Sequence, residues 1–191
     1  MNTTINSLSQ FVNSKVQINQ GLADAIDQAC RVEELPKGTL LLKEGQVAHR
    51  LFLMIQGTAR TFYYYDGKEV TSWIYREAQL LTAWGSFLSR TPSHEQLELL
   101  EDATLCSIAY PELQQLYAQY PRMQTFGRIT AEEQLAYIDN FYKGFLFMSA
   151  KEKYDLLLSA FPDLTQRVNL GHIASLLGIS QETLSRIRSK K

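Results

Sequence analysis

The apolar positions change their period twice along the chain. In the first thirty residues Ile5, Leu8, Phe11 and Val12, then Leu22, Ile26 and Ala29, recur at helical spacing and predict packing helices. From Arg31 the pattern becomes short apolar runs punctuated by glycine. Residues 35–45 read as turn, short strand and turn, and 50–56 as an apolar strand ended by Gly57. Residues 58–65 and 68–75 flank Asp66-Gly67, a two-residue hairpin signal, and further strands fit 96–100 and 104–109. Short strands at regular spacing with glycine-marked turns predict a small β-barrel or roll.

Beyond Pro111 the helical period returns. A short helix at 112–120 ends at Pro121, and a long one covers about residues 122–148. In it Leu135, Ile138, Tyr142 and Phe145 are spaced three, four, three, as in a two-stranded coiled-coil seam. Tyr137, Phe141 and Met148 form a second stripe beside them. One stripe can pack on the roll and the other on a second subunit, although a helix buried within its own chain has the same periodicity. Ser149-Ala-Lys-Glu152 is a capping box opening a further helix, expected to pack through Leu156, Leu157 and Ala160 and to end at Pro162-Asp163.

The last stretch, from Asn169 to Arg188, reads as two short helices joined by a tight turn. Asn169 caps the first, whose apolar face is Ile173, Ala174 and Leu177; Gly178 supplies the turn and Ile179 plugs it. Ser180 caps the second helix, where Leu184 and Ile187 share the inner face. Gln181, Glu182, Ser185, Arg186, Arg188 and Ser189 fall on the outer one. Arginine pairs with guanine, glutamine with adenine, and glutamate accepts from cytosine, so this outer face suits a helix in a DNA major groove. A surface hairpin with a solvated charged face has the same pattern. The Ala174, Gly178, Ile179 and Ser180 spacing, whose small residue lets the helices cross closely, favours DNA, and the terminal Arg186, Arg188, Lys190 and Lys191 add the charge expected for phosphate contacts.

Charge distribution sharpens this. The net charge of −1 divides unevenly: from Thr165 onward five Lys/Arg face one acid, which leaves fourteen bases and nineteen acids for the rest. A basic end on an acidic body fits a dedicated nucleic-acid reader. A chain of 191 residues, 45% hydrophobic and 20% charged, accommodates one large globular unit and a small one. The first residues have neither a basic leader nor an apolar core, and no apolar run is long enough to span a bilayer; a cytoplasmic location without membrane contact is expected. Cys30 and Cys106 are too few for a four-cysteine cluster and read as buried small hydrophobes.

The series Pro36-Lys-Gly, Glu44-Gly45, Leu51-Phe-Leu-Met-Ile-Gln-Gly57 and Asp66-Gly-Lys-Glu69 resembles the effector-binding β-roll of the Crp/Fnr family of transcription regulators. Leu177-Gly-Ile-Ser-Gln-Glu-Thr-Leu-Ser-Arg186 is similar to that family's helix-turn-helix. The resemblance implies an α+β chain: a double-stranded β-helix or jelly-roll-like effector domain at 1–121, a dimerisation helix at 122–148, and a helix-turn-helix domain at 149–191. It implies double-stranded DNA, a second copy of the chain and RNA polymerase as partners. Within it Gln181, Glu182, Ser185, Arg186 and Arg188 would read DNA together with Ser180 and Lys190, and the family's β-wing after the reading helix would be short or absent.

Departures from the family pattern bear on the effector. Cyclic-nucleotide-binding members hold the phosphate with a Phe-Gly-Glu turn and an Arg followed by Ser or Thr. Here the turn region reads Leu80-Leu-Thr-Ala-Trp-Gly-Ser-Phe87, and the Arg position falls near Ser93 or His94, followed by Glu95. A carboxylate there repels phosphate, so cyclic AMP and cyclic GMP are not expected to bind tightly. Trp84, Ser86, Phe87, Arg90 and His94 remain as candidates around an altered effector pocket; packing without a ligand is the alternative. No cofactor is evident beyond an unidentified small-molecule effector, and no metal site is expected. Two other functions are alternatives: a ligand-sensing roll acting through a protein partner, and a cupin-like enzyme. The second needs clustered His and carboxylate ligands, whereas His49, His94 and His172 are scattered, so no catalytic residues are assigned and an enzyme is not expected.

Overall fold

The structure is a computed structural model and describes residues 5–189. Two helices, α1 (Leu8–Lys15) and α2 (Gln20–Ala29), precede the strands β1 (Cys30–Leu35), β2 (Leu40–Leu42), β3 (Arg50–Gln56), β4 (Ala59–Tyr65), β5 (Lys68–Tyr75) and β6 (Leu80–Leu81). Helix α3 (Trp84–Ser89) separates these from β7 (Gln96–Leu99) and β8 (Ala103–Ala109). The chain then becomes helical: α4 (Tyr110–Gln119), α5 (Pro121–Phe147), α6 (Ala150–Ala160), α7 (Leu164–Arg167), α8 (Leu170–Leu177) and α9 (Gln181–Ser189).

The strands form two four-stranded sheets, ordered β1-β8-β3-β6 and β2-β7-β4-β5, with every pairing antiparallel. Leu53, Met54, Leu81, Leu97, Leu99, Leu105 and Ile108 are all buried in the core that the sheets share with α1 and α2. Ser7 and Asn19 cap those two helices by accepting from the amides of Gln10 and Leu22, as their side chains predict. The β4–β5 hairpin turns at Asp66-Gly67, with Tyr65 paired to Lys68. Gly57, at φ +113°, lies against β8: a Cβ there would sit 2.7 Å from that of Ala103. Cys106 is buried and Cys30 half-buried.

Four short elements, β1, β6, α3 and α7, have no counterpart in the expected pattern. β1 pairs with β8 alone and its middle four residues are exposed, so it carries no apolar alternation. β6 has two residues, and α3 lies in the stretch read as a turn.

Helix α5 starts at Pro121, and its first turns are bound to the rest of the fold. Met123 and Phe126 are buried, and Phe126 meets Phe11 edge-on at 6.1 Å between ring centroids. Farther along, Leu135, Ile138 and Tyr142 are 69%, 59% and 66% exposed, which leaves these three positions of the stripe open. Tyr137 of the second stripe packs edge-on against Trp73 of β5 at 5.4 Å. Phe145 is half-buried beneath Lys153, and the side chain of Phe141 lies outside the described residues.

The helices after Ser149 gather around a second apolar cluster that includes Tyr154, Phe161, Leu164, Ile173, Leu177 and Leu184, completed by Ile74 and Leu100 from the roll. Ser149 and Glu152 form the reciprocal capping box. The packing face of α6 differs from expectation: Tyr154 is buried and Leu157 and Leu158 are half-buried, whereas Leu156 and Ala160 are exposed. With about 100° between residues, a face centred on Tyr154 carries Leu157 and Leu158 inward and turns Leu156 to solvent. Among the described residues no helix is long and apolar enough to cross a membrane.

Candidate functional site

The α8–α9 pair is built by local chemistry. Asn169 accepts from the Gly171 amide and so begins α8; Gly178, at φ 69° and ψ 32°, ends it. The amides of Gly178 and Ile179 donate to the carbonyls of Ser175 and Ala174, which satisfies the last turn. Ser180 Oγ then accepts from the Thr183 amide at 3.2 Å and opens α9. Leu184 is fully buried and Ile187 half-buried, while Gln181, Glu182, Ser185, Arg186, Arg188 and Ser189 are exposed along one side. Arg186 donates to Thr183 Oγ1 of its own helix at 3.2 Å. Glu182 is held below the usual carboxylate range by its hydrogen bond with Ser180 and by nearby backbone, so it remains an acceptor. Lys190 and Lys191 lie outside the described residues.

This pair is stitched to the roll by contacts that sequence reasoning missed. Arg60 of β4, 3% exposed, donates to Glu98 through Nε (2.8 Å) and Nη2 (2.7 Å). Its Nη1 reaches Glu69 (2.5 Å), Thr71 Oγ1 (3.2 Å) and His172 Nδ1 of α8 (2.8 Å). Guanidinium cannot accept, so Nδ1 is the acceptor and the neutral imidazole carries its proton on Nε2. Burial first, and the charge of Arg60 second, push His172 below the usual histidine range. Beside it the Thr71 amide donates to Ser175 Oγ, and that hydroxyl donates to the Glu69 carbonyl. A second tie joins Arg167 of α7 to Glu77, Glu101 and Asp163. Burial raises Glu77, but the hydrogen bonds from Arg167 and from the Gly57 amide outweigh it and keep the carboxyl ionised. Arg167 therefore does not add to the basic surface, contrary to its count in the terminal charge. An arginine inside the aromatic run of β4 and a glutamate on the returning strand were the available signals.

Between the sheets lies a cavity of about 430 Å³. Leu41, Leu42, Phe52 and Leu97 supply its apolar wall, and Gln46, His49, Arg50 and Thr82 are the polar side chains among those that line it. None of the five side chains singled out as pocket candidates lines this cavity. Phe87 is buried, Ser86 donates to the Thr91 carbonyl and accepts from the Ala48 amide, and Trp84 is half-buried. Arg90 is engaged by the carbonyls of Ala48 and Phe87, by His49 Nδ1 and by the Tyr110 ring at 4.1 Å. His94 is exposed, while Glu95 accepts from Ser72 Oγ at 2.6 Å. Among the described residues no three His, Cys, Asp or Glu side chains are grouped to hold a metal ion.

Comparison with known proteins places this architecture. Residues 32–120 match the family model of the cyclic nucleotide-binding domain. A search of curated proteins returned no match. Among solved structures, the c-di-GMP-responsive global regulator CLP of Xanthomonas campestris is similar, with a TM-score of 0.67 and 19% identity over 90% of this chain and 91% of that one. The catabolite activator protein of Thermus thermophilus gives 0.58 and 18%, covering 94% and 85%. A protein from Eubacterium rectale described as a transcriptional regulator of the Crp/Fnr family gives 0.69 and 15%, covering 89% and 82%. At these identities the likeness defines the fold.

Proposed function

We propose that this chain is a sequence-specific DNA-binding transcription regulator of the Crp/Fnr type, acting as a homodimer. The observation that carries the reading is α9: one buried leucine anchors it, and the residues of its polar outer side are exposed. Arg186 and Glu182 would make most of the direct base contacts, with Gln181 and Ser185 tuning them and Ser180, Arg188 and Lys190 near the phosphates. The exposed Leu135, Ile138 and Tyr142, with Phe145 beside them, would pair two copies. Dimerisation sets two reading helices against half-sites one DNA turn apart. Residues 1–121 would then sense, 122–148 pair and 149–191 read, with RNA polymerase as the further partner.

Cyclic AMP and cyclic GMP are expected to be weak ligands. The stretch that would hold a phosphate is occupied by Glu95, and Arg90 already has four partners. DNA binding is tested by fluorescence anisotropy with genomic fragments across a salt series. A steep salt dependence with clear preference among fragments is expected; equal affinity for all fragments overturns the reading.

A further inference from the structure

Arg50 opens β3 within electrostatic reach of the Cys30 and Cys106 thiols, and no carboxylate among the described residues pairs with it. Its Nε donates to Ser107 Oγ (3.1 Å), and its Nη2 donates to the Ser107 carbonyl (3.2 Å) and hydroxyl (2.9 Å). Among the described residues Nη1 donates to no group and no carboxylate lies within ion-pair distance of this guanidinium. The side chain is half-buried and lines the cavity between the sheets, where no Asp or Glu joins it. An arginine stays charged at any working pH, and a half-buried charge beside an apolar wall calls for a complement.

The rest of the lining describes that complement. Leu41, Leu42, Phe52 and Leu97 offer an apolar wall, and the volume of about 430 Å³ falls within the range of small-molecule sites, roughly 300–1,000 Å³. Thr82 spends its hydroxyl proton on the Arg50 carbonyl at 3.0 Å, so it does not compete for the anion. At the mouth, Arg90 donates to His49 Nδ1, which puts the proton of the neutral ring on Nε2 and makes that atom a second donor. One cation and two donor nitrogens match a single negative charge. They do not match the phosphodiester-and-ribose pattern of a cyclic nucleotide, because no carboxylate is present for the ribose hydroxyl.

We propose that this cavity binds a monoanionic carboxylic acid with an alkyl or aryl body, its carboxylate on Arg50 Nη1 and its body against Phe52 and Leu97. The site goes beyond the DNA-binding reading and depends on none of it. The full chain is titrated calorimetrically, without DNA, with octanoate and 4-phenylbutyrate, with the amides of both, and with cyclic AMP. Each acid is expected to bind about ten-fold or more tightly than its amide, as a charge-assisted bond predicts. Arg50→Met should erase that preference and Arg50→Lys retain part of it. The acid–amide comparison on the unaltered chain stands even where a variant does not fold. Equal affinity for acid and amide overturns the proposal, as does the failure of either acid to bind at millimolar concentration, or tighter binding of cyclic AMP than of both acids. Because no DNA is in the cell, such a result leaves the DNA-binding reading intact, and the anisotropy series can fail without touching this site.

Discussion

Replacing Arg60 by methionine probes the contact between the roll and the helices that follow α5. Methionine keeps an apolar stem of similar length over the Phe62 ring, which the guanidinium now covers at 4.1 Å. It removes the charge that Glu69, Glu98 and the His172 ring share. Breaking a buried ion pair by deleting one partner costs roughly 3–5 kcal/mol, chiefly because the other charge is stranded. Here the stranded carboxylates retain water, Glu69 being 37% and Glu98 24% exposed. A loss of about 2–3 kcal/mol is therefore expected, below the fully buried case. For a chain of this size each kcal/mol lowers Tm by about 2–4 °C, so a drop of about 4–12 °C should appear in thermal unfolding followed by circular dichroism. Hydrogen exchange locates the effect: amides of α8 should lose protection more than those of β3 or β8. The double variant with Glu98→Gln should lose less than the sum of the two single changes, since the second partner is then no longer stranded. A loss under about 0.5 kcal/mol, the range of ordinary surface substitutions, would refute the reasoning. So would unchanged protection in α8.

Arg186→Ala should weaken binding to the preferred DNA site by about 1–3 kcal/mol and leave random DNA less affected; equal losses in anisotropy would make it a phosphate contact. Ile138→Glu should convert a dimer to a monomer in sedimentation, because it sets a charge in the exposed stripe of α5. Gly57→Ala should lower stability by more than about 2 kcal/mol, measured by urea unfolding, since the new methyl meets the Ala103 Cβ at 2.7 Å and φ is +113°. His172 is depressed in the folded chain, first by burial and then by Arg60, so the unfolded chain takes up the proton more readily. Its contribution is complete above the ordinary value of 6.5 and is lost as pH falls through the lower folded value. Urea midpoints should decline on acidification from pH 7.5, and His172→Gln should flatten that decline; parallel curves would refute it.

What was legible in the sequence was local. The Asp66-Gly67 turn, the Ser149–Glu152 capping box and the Gly178 turn each depend on residues within four positions, and the structure has all three. The exposed and buried sides of α9 follow equally from its period. β1 escaped because an edge strand with exposed middle residues has no apolar alternation. The Arg60–His172 contact joins residues 112 apart and Arg167–Glu77 joins residues 90 apart, so no spacing rule reaches them. The cavity wall likewise draws Leu41, Phe52 and Leu97 from three strands. Alternation in β7 announces that Leu97 and Glu98 face opposite ways, but only the folded sheet tells what each one faces.

That alternation gives β7 a double allegiance. Leu97 borders the hollow between the sheets, while its neighbour Glu98 grips Arg60 and, through it, the imidazole of α8. A single peptide unit separates the two, and in a strand successive side chains ride on one rigid backbone. The interior of the roll and the seat of α8 are thus front and back of the same thin wall, so neither can be remodelled while the other stays still.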